Sequence, residues 1–259
     1  MTATVLQRVA AAALFAVTAS ANLGLAAELG PLEVTHEQGL VRMEQNGPMI
    51  EIAAQFARLD GRVDGSSNAE PAAAVDAANR VIETQVLQQV DAFRDEYQDL
   101  LADNNGDHVG PPWGLSITGE LLYDGPVFWT LDLETYRFTG GAHGGTENQA
   151  LVIDKATGEP IPVADLFKPG TEWLKTLSKA SYEALIQREH FEPDDDWLER
   201  GTAPEAENYQ VLLPLAEGLE VVFGQYQIGP YVIGISRVLL PYSALAAVLN
   251  PALFPSQEH

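Results

Sequence analysis

The chain has 259 residues, 14 lysines and arginines against 37 aspartates and glutamates, a formal net charge of −23, and no cysteine. A surface this acidic repels nucleic acid and anionic lipid and draws in cations or basic proteins. Without cysteine there is neither a disulfide framework nor a thiol nucleophile, so a packed apolar core must hold the fold alone.

The first residues read as a secretory signal. Arg8 is the only charged residue before Glu28, Val9 to Val17 is entirely apolar, and Ala19-Ser20-Ala21 and Gly24-Leu25-Ala26 are cleavage-type small-residue triplets. This apolar run is shorter than the ~20 residues a membrane span needs. No later stretch is long enough either, and no cysteine stands near the cleavage region for a lipid anchor. The expectation is an exported protein without a membrane span, periplasmic or secreted, with residues 1–27 removed.

Leu32 to Gln45 reads as one strand and Met49 to Leu59 as another, with Ile50, Ile52, Ala54 and Phe56 on one face and Asn46-Gly47-Pro48 as the turn between them. Asn68 is a candidate helix cap. A helix then runs from about Pro71 to Ala102, because Val75, Ala78, Ile82, Val86, Val90, Phe93 and Tyr97 follow steps of three and four. One apolar stripe predicts that this helix lies on a sheet. Trp113 to Tyr123 and Val127 to Phe138 read as long strands joined by an Asp124-Gly125 hairpin turn.

The glycine-rich run Thr139-Gly140-Gly141-Ala142-His143-Gly144-Gly145 follows. Gln149 to Asp154 reads as a short strand, Thr171 to Glu189 as a helix, and Asp194 as the cap of a short helix ended by Gly201. Tyr209 to Leu215, Leu219 to Tyr226 and Val232 to Leu240 read as strands. A closing helix is bracketed by Pro241 and Asn250-Pro251. This order gives an α+β fold, antiparallel sheets with helices packed on them.

The glycine-rich run is the main candidate site. Its glycines allow positive φ and close backbone approach, and it surrounds one histidine, His143, a residue able to bind a ligand or move a proton. Tyr136 and Phe138, two residues apart, share a strand face just before it. The aromatics Trp113, Trp129, Tyr136, Tyr226 and Tyr231 can either stack on sugar rings or fill a core. Asp103-Asn104-Asn105-Gly106-Asp107 opens like a calcium loop, but His108 stands where glycine is needed and Gly114 where glutamate is needed, so a solvated turn is expected. Asp194-Asp195-Asp196 fits a helix start better than a cation site. Gly234-Ile235-Ser236-Arg237-Val238 lacks the final glycine of a nucleophile elbow. No metal, cofactor or catalytic residue is called for. A carboxylate pair in a polysaccharide hydrolase is the alternative.

Three segments together resemble one family: Tyr136 to Gly144, Thr157 to Phe167 with its Asp165-Leu166-Phe167 element, and Phe223 to Tyr231 followed by Gly234. They are similar to the paired extracytoplasmic domains that precede the catalytic domain of PdaC-type peptidoglycan deacetylases and form the ectodomain of RsiV-type, lysozyme-sensing anti-sigma factors. The resemblance implies two coupled modules, an N-terminal PdaC-like one over 28–145 and a C-terminal RsiV-like one over 146–259. It also implies contact with cell-wall glycan or with a basic muramidase such as lysozyme. Nothing here resembles the deacetylase catalytic domain or the anti-sigma segment, so the expected role is non-catalytic binding. On this reading Tyr136, Phe138, Gly140, Gly141, His143 and Gly144 form the contact surface.

Overall fold

A computed structural model describes residues 29–60 and 71–254. The expected signal segment and the candidate cap Asn68 lie outside the described residues. Among the described residues, nine strands form two sheets and four α-helices accompany them. The first has six strands in sequential order: β1 (Glu33–Glu37), β2 (Leu40–Asn46), β3 (Ile50–Ala57), β4 (Trp113–Asp124), β5 (Phe128–Phe138) and β6 (Gly145–Asp154). The second contains β7 (Leu212–Pro214), β8 (Gly218–Phe223) and β9 (Ser236–Pro241), all antiparallel. The α+β expectation holds, with one exception to antiparallel pairing. Strands β3 and β4 run parallel, because the helix α1 (Ala72–Asp103) carries the chain back across the sheet between them.

Helix α1 buries the expected stripe, Val75, Ala78, Ile82, Val86, Val90, Phe93 and Tyr97. It packs on Ile50, Ile52, Ala54 and Phe56 of β3, Trp113, Leu115 and Ile117 of β4, Trp129, Leu131 and Leu133 of β5, and Leu151 and Ile153 of β6. Trp113 and Trp129 are therefore core residues. At the end of α1, Asn105 and Gly106 take positive φ, and the Gly106 N–H donates to the Leu101 carbonyl at 2.7 Å. The calcium-like sequence is this helix terminus.

The second core gathers Phe167, the helix α2 (Trp173–Leu185) through Leu177 and Leu185, Tyr209, and β7 to β9. Phe128 and Val152 also enter it from the first sheet. Residues 128–133 of β5 are thus buried on both faces, the odd positions against α1 and the even ones against the second core. The six-stranded sheet lies between a helix and the second module.

Several elements differ from the sequence reading. Leu32 to Gln45 is two strands, because Gly39 at φ +75° turns the chain between β1 and β2. Strand β6 begins at Gly145 and pairs along β5, so the glycine run is a hairpin loop. Asp195 caps the short helix α3 (Asp196–Gly201) by accepting from the Trp197 N–H, while Asp194 sits at φ +64°. Tyr209 ends a 3-10 turn, and Tyr231–Ile233 is another, so two expected strands start late. The closing helix α4 spans only Tyr242–Leu245.

Candidate functional site

Beyond Leu133 the even-numbered face of β5 leaves the core, and a cleft of about 470 Å³ opens between the modules. One wall is the glycine loop and the start of β6, from His143 to Asn148. The other comprises Glu207, Asn208, Gln210 and Val211 with the turn after β8, from Gly224 to Gln227.

The rim is aromatic. His143 stacks on Tyr231 with ring centroids 4.1 Å apart, and Tyr226 lies 5.7 Å from Tyr231. The His143 Nδ1 is 2.9 Å from the Gly144 carbonyl, which can only accept, so Nδ1 carries a proton. In the neutral ring Nε2 then accepts from the Tyr226 hydroxyl, 3.3 Å away. Tyr226 and Tyr231 stay 48% and 39% exposed.

Tyr226 adopts φ +64°, a conformation that bulky side chains rarely take. It is held there by its surroundings. The Trp197 indole N–H donates to its carbonyl at 2.8 Å, and the next residue, Gln227, donates to the Gly201 and Asn208 carbonyls at 3.1 and 3.0 Å. Local strain kept by a rigid frame is a feature of functional sites.

Next to the cleft, a charged cluster joins the modules. Arg237 of β9 donates to Asp132 of β5 at 2.5 Å and to Glu220 of β8 at 2.9 Å, and both carboxylates are buried. Asn148 donates to both Asp132 oxygens, at 3.0 and 3.1 Å. Burial opposes the charge on Arg237. Its bond to Asp132 and the fields of Asp132 and Glu220 outweigh that, and the guanidinium pKa is raised. Thr130 adds a neutral tie, donating to the Pro214 carbonyl at 2.7 Å.

The six expected contact residues divide. His143 and Gly144 line the cleft. Tyr136 lies over Gly144, where an added Cβ would come within 2.5 Å of its hydroxyl oxygen, so Gly144 makes room for the Tyr136 ring. Phe138 is half-buried opposite Gly114, Gly140 at φ +91° lies against Pro111, and Gly141 at φ +115° faces open space. None of these three lines the cleft. Tyr226 and Tyr231, which the sequence offers as either sugar platforms or core, are exposed beside His143. The polar residues Asn148 and Asn208 lie in no motif, and Gln225 lies within the Phe223 to Tyr231 segment without being singled out there. Among the described residues no cluster of three or more His, Cys, Asp or Glu side chains could hold a metal ion.

The glycine loop as far as Thr146 falls within one family match and the second wall within another, while Glu147 and Asn148 lie between the two. The deacetylase PdaC profile matches residues 62–146 and the DUF3298 profile, a protein family of unknown function, matches residues 164–243. The chain has the PdaC-like two-domain arrangement. It is 24% identical over 155 residues to the peptidoglycan-N-acetylmuramic acid deacetylase PdaC of Bacillus subtilis strain 168, an alignment covering 60% of this chain and 33% of that protein. The chain therefore matches about a third of the length of that relative. Two solved structures share the fold of this chain. A DUF3298 family protein of Pseudomonas aeruginosa PAO1 has a TM-score of 0.56 at 17% identity, covering 90% of this chain and 100% of that one. A DUF3298 member from Bacteroides fragilis NCTC 9343 has a TM-score of 0.59 at 14% identity, covering 90% and 99%. Among the described residues no helix is long and apolar enough to cross a membrane.

Proposed function

We propose that this protein is an exported, non-catalytic module of the cell envelope that binds cell-wall glycan in the cleft between its two domains. The single observation that carries this reading is the exposed Tyr226–Tyr231–His143 rim beside a wall of amide and carboxylate residues. Sugar rings offer apolar C–H faces that pack on aromatic rings, and hydroxyl edges that need oriented polar partners. The cleft supplies both. The relative matched over 155 residues is named a peptidoglycan-N-acetylmuramic acid deacetylase, which supports a cell-wall setting. The N-terminal signal-like segment supports export.

In this reading Tyr226 and Tyr231 are the stacking platform, and His143 fixes the Tyr226 ring. Tyr136 and Gly144 set the position of the loop. Gly140 and Gly141 shape it, and Phe138 anchors its base. The test is calorimetric titration with soluble peptidoglycan fragments. Binding that Tyr226→Ala and Tyr231→Ala each weaken about tenfold or more, with the fold retained, supports it. Absence of heat with any fragment overturns it. Binding to a basic muramidase alone, weakening with salt, would make the acidic surface the site and a protein the partner. Release of reducing ends on incubation would turn the module into a hydrolase.

A further inference from the structure

Strand β6 is an edge of the six-stranded sheet, and the cleft runs along that edge. In an antiparallel ladder alternate residues turn their backbone N–H and C=O groups toward the partner strand, and the residues between turn theirs outward. The structure shows which residues of β6 face outward. The Thr146 N–H donates to the Gln225 side-chain Oε1 at 3.0 Å. At the other end the Val152 carbonyl accepts from the Ile161 N–H at 2.7 Å, and the Asp154 N–H donates to the Glu159 carbonyl at 2.9 Å. The even-numbered residues therefore face outward. Asn148 is the outward rung within the cleft, and among the described residues it has no backbone partner on that side.

The Gln225 amide is the informative group. Its carbonyl oxygen stands where the carbonyl of a seventh strand would stand, reaching across the cleft from the second module. Gly145 lies beside it without crowding it: an added Cβ there would be 3.8 Å from Oε1, an ordinary van der Waals contact. An amide plug on an open edge satisfies one N–H and leaves the next rung available. We propose that the cleft takes an extended peptide by strand addition to β6, displacing Gln225 from Thr146 and pairing with Thr146 and Asn148. Two outward rungs about 7 Å apart accommodate a segment of about three residues. This rests on the glycan reading of the same cleft and sharpens it: the ligand is a glycan that carries a peptide, with its sugar on Tyr226 and Tyr231 and its peptide along β6.

The experiment uses the full chain, labelled with ¹⁵N. It is titrated separately with a cell-wall disaccharide–peptide fragment, the same disaccharide stripped of its peptide, and the free peptide. The expected result is binding about tenfold tighter for the peptide-bearing fragment. Amide exchange at Thr146 and Asn148 should slow with that fragment and stay unchanged with the stripped one. Equal affinity of the two disaccharides, or exchange at Asn148 unchanged in the bound state, overturns strand addition and leaves glycan binding standing. If neither disaccharide binds while the free peptide protects Asn148, strand addition stands and the glycan reading falls. If nothing protects Asn148, strand addition is wrong.

Discussion

The two faces of the six-stranded sheet are covered by different chemistry. Toward α1, apolar side chains such as Ile82, Val86 and Val90 meet Leu115, Leu131 and Ile153, with polar pairs such as Gln85–Gln149 and Gln89–Thr135 beside them. Toward the second module, Phe128 and Val152 are joined by Thr130, Asp132 and the guanidinium of Arg237, and beyond them the contact opens into the cleft. The apolar centre of the first face is held by area and tolerates no gap. A face held partly by hydrogen bonds needs matched partners and can end in a polar, hydrated rim. The candidate site lies where the second face opens into the cleft.

The largest effect expected from breaking this contrast is on the first face. Phe93 is fully buried, with its ring 5.7 Å from that of Trp113. Phe93→Ala should cost about 3–5 kcal/mol in denaturant unfolding. A cost below about 1 kcal/mol would mean that α1 is loosely packed. On the other face, Arg237→Met leaves Asp132 and Glu220 buried without their cation and should cost about 3 kcal/mol. The triple replacement Arg237→Met, Asp132→Leu, Glu220→Leu should recover most of it. If it recovers nothing, the loss came from packing and the charged cluster is not the tie between modules.

A phenol probes the second core by pH. Tyr209 donates to the Thr202 carbonyl at 2.8 Å, and burial pushes its pKa from 10.0 up to about 12. The folded state thus keeps the proton longer than the unfolded chain. Its contribution is fully present below pH 10 and is lost as pH rises from there through 12. The loss is at most about 2–3 kcal/mol. Tyr97 and Tyr242 are shifted in the same direction by burial, so Tyr209→Phe should reduce the alkaline loss without abolishing it. An unchanged pH profile in that variant would contradict the assignment.

The smallest effects belong to the cleft. Gly144→Ala must move the Tyr136 ring and should cost about 1–2 kcal/mol, with the perturbation visible at Tyr136 by NMR. Tyr226→Gly relieves a positive φ while losing ring contacts, so stability should change by less than about 1 kcal/mol while glycan binding is lost. A large destabilisation in Tyr226→Gly would make the residue a structural element of the seam.

The helix on the sheet was legible because α1 carries its own period: the buried positions from Val75 to Tyr97 repeat at helical spacing whatever lies opposite them. Strands with clean alternation, such as Ile50 to Phe56, and turns with strong signals, such as Asp124-Gly125, were legible for the same reason. Breaks set by one residue were harder to see. Gly39 divides a run that alternates well enough to read as one strand.

The site was only half visible. The glycine loop stands out in sequence, and Tyr136, His143 and Gly144 do take part in the cleft or its support. Their partners lie some eighty residues further on, as the hydrogen bond between His143 and Tyr226 shows with its separation of 83 residues. Local pattern carries no information about which distant segment arrives. Composition, periodicity and turn chemistry settled the class of fold, the face that α1 buries and the glycine loop, because each depends on neighbours in sequence. The cleft, the Asp132–Arg237–Glu220 cluster and the Gln225 plug on the β6 edge were decided only by tertiary structure. They depend on how the second module docks, which is fixed by contacts between residues that no local repeat connects.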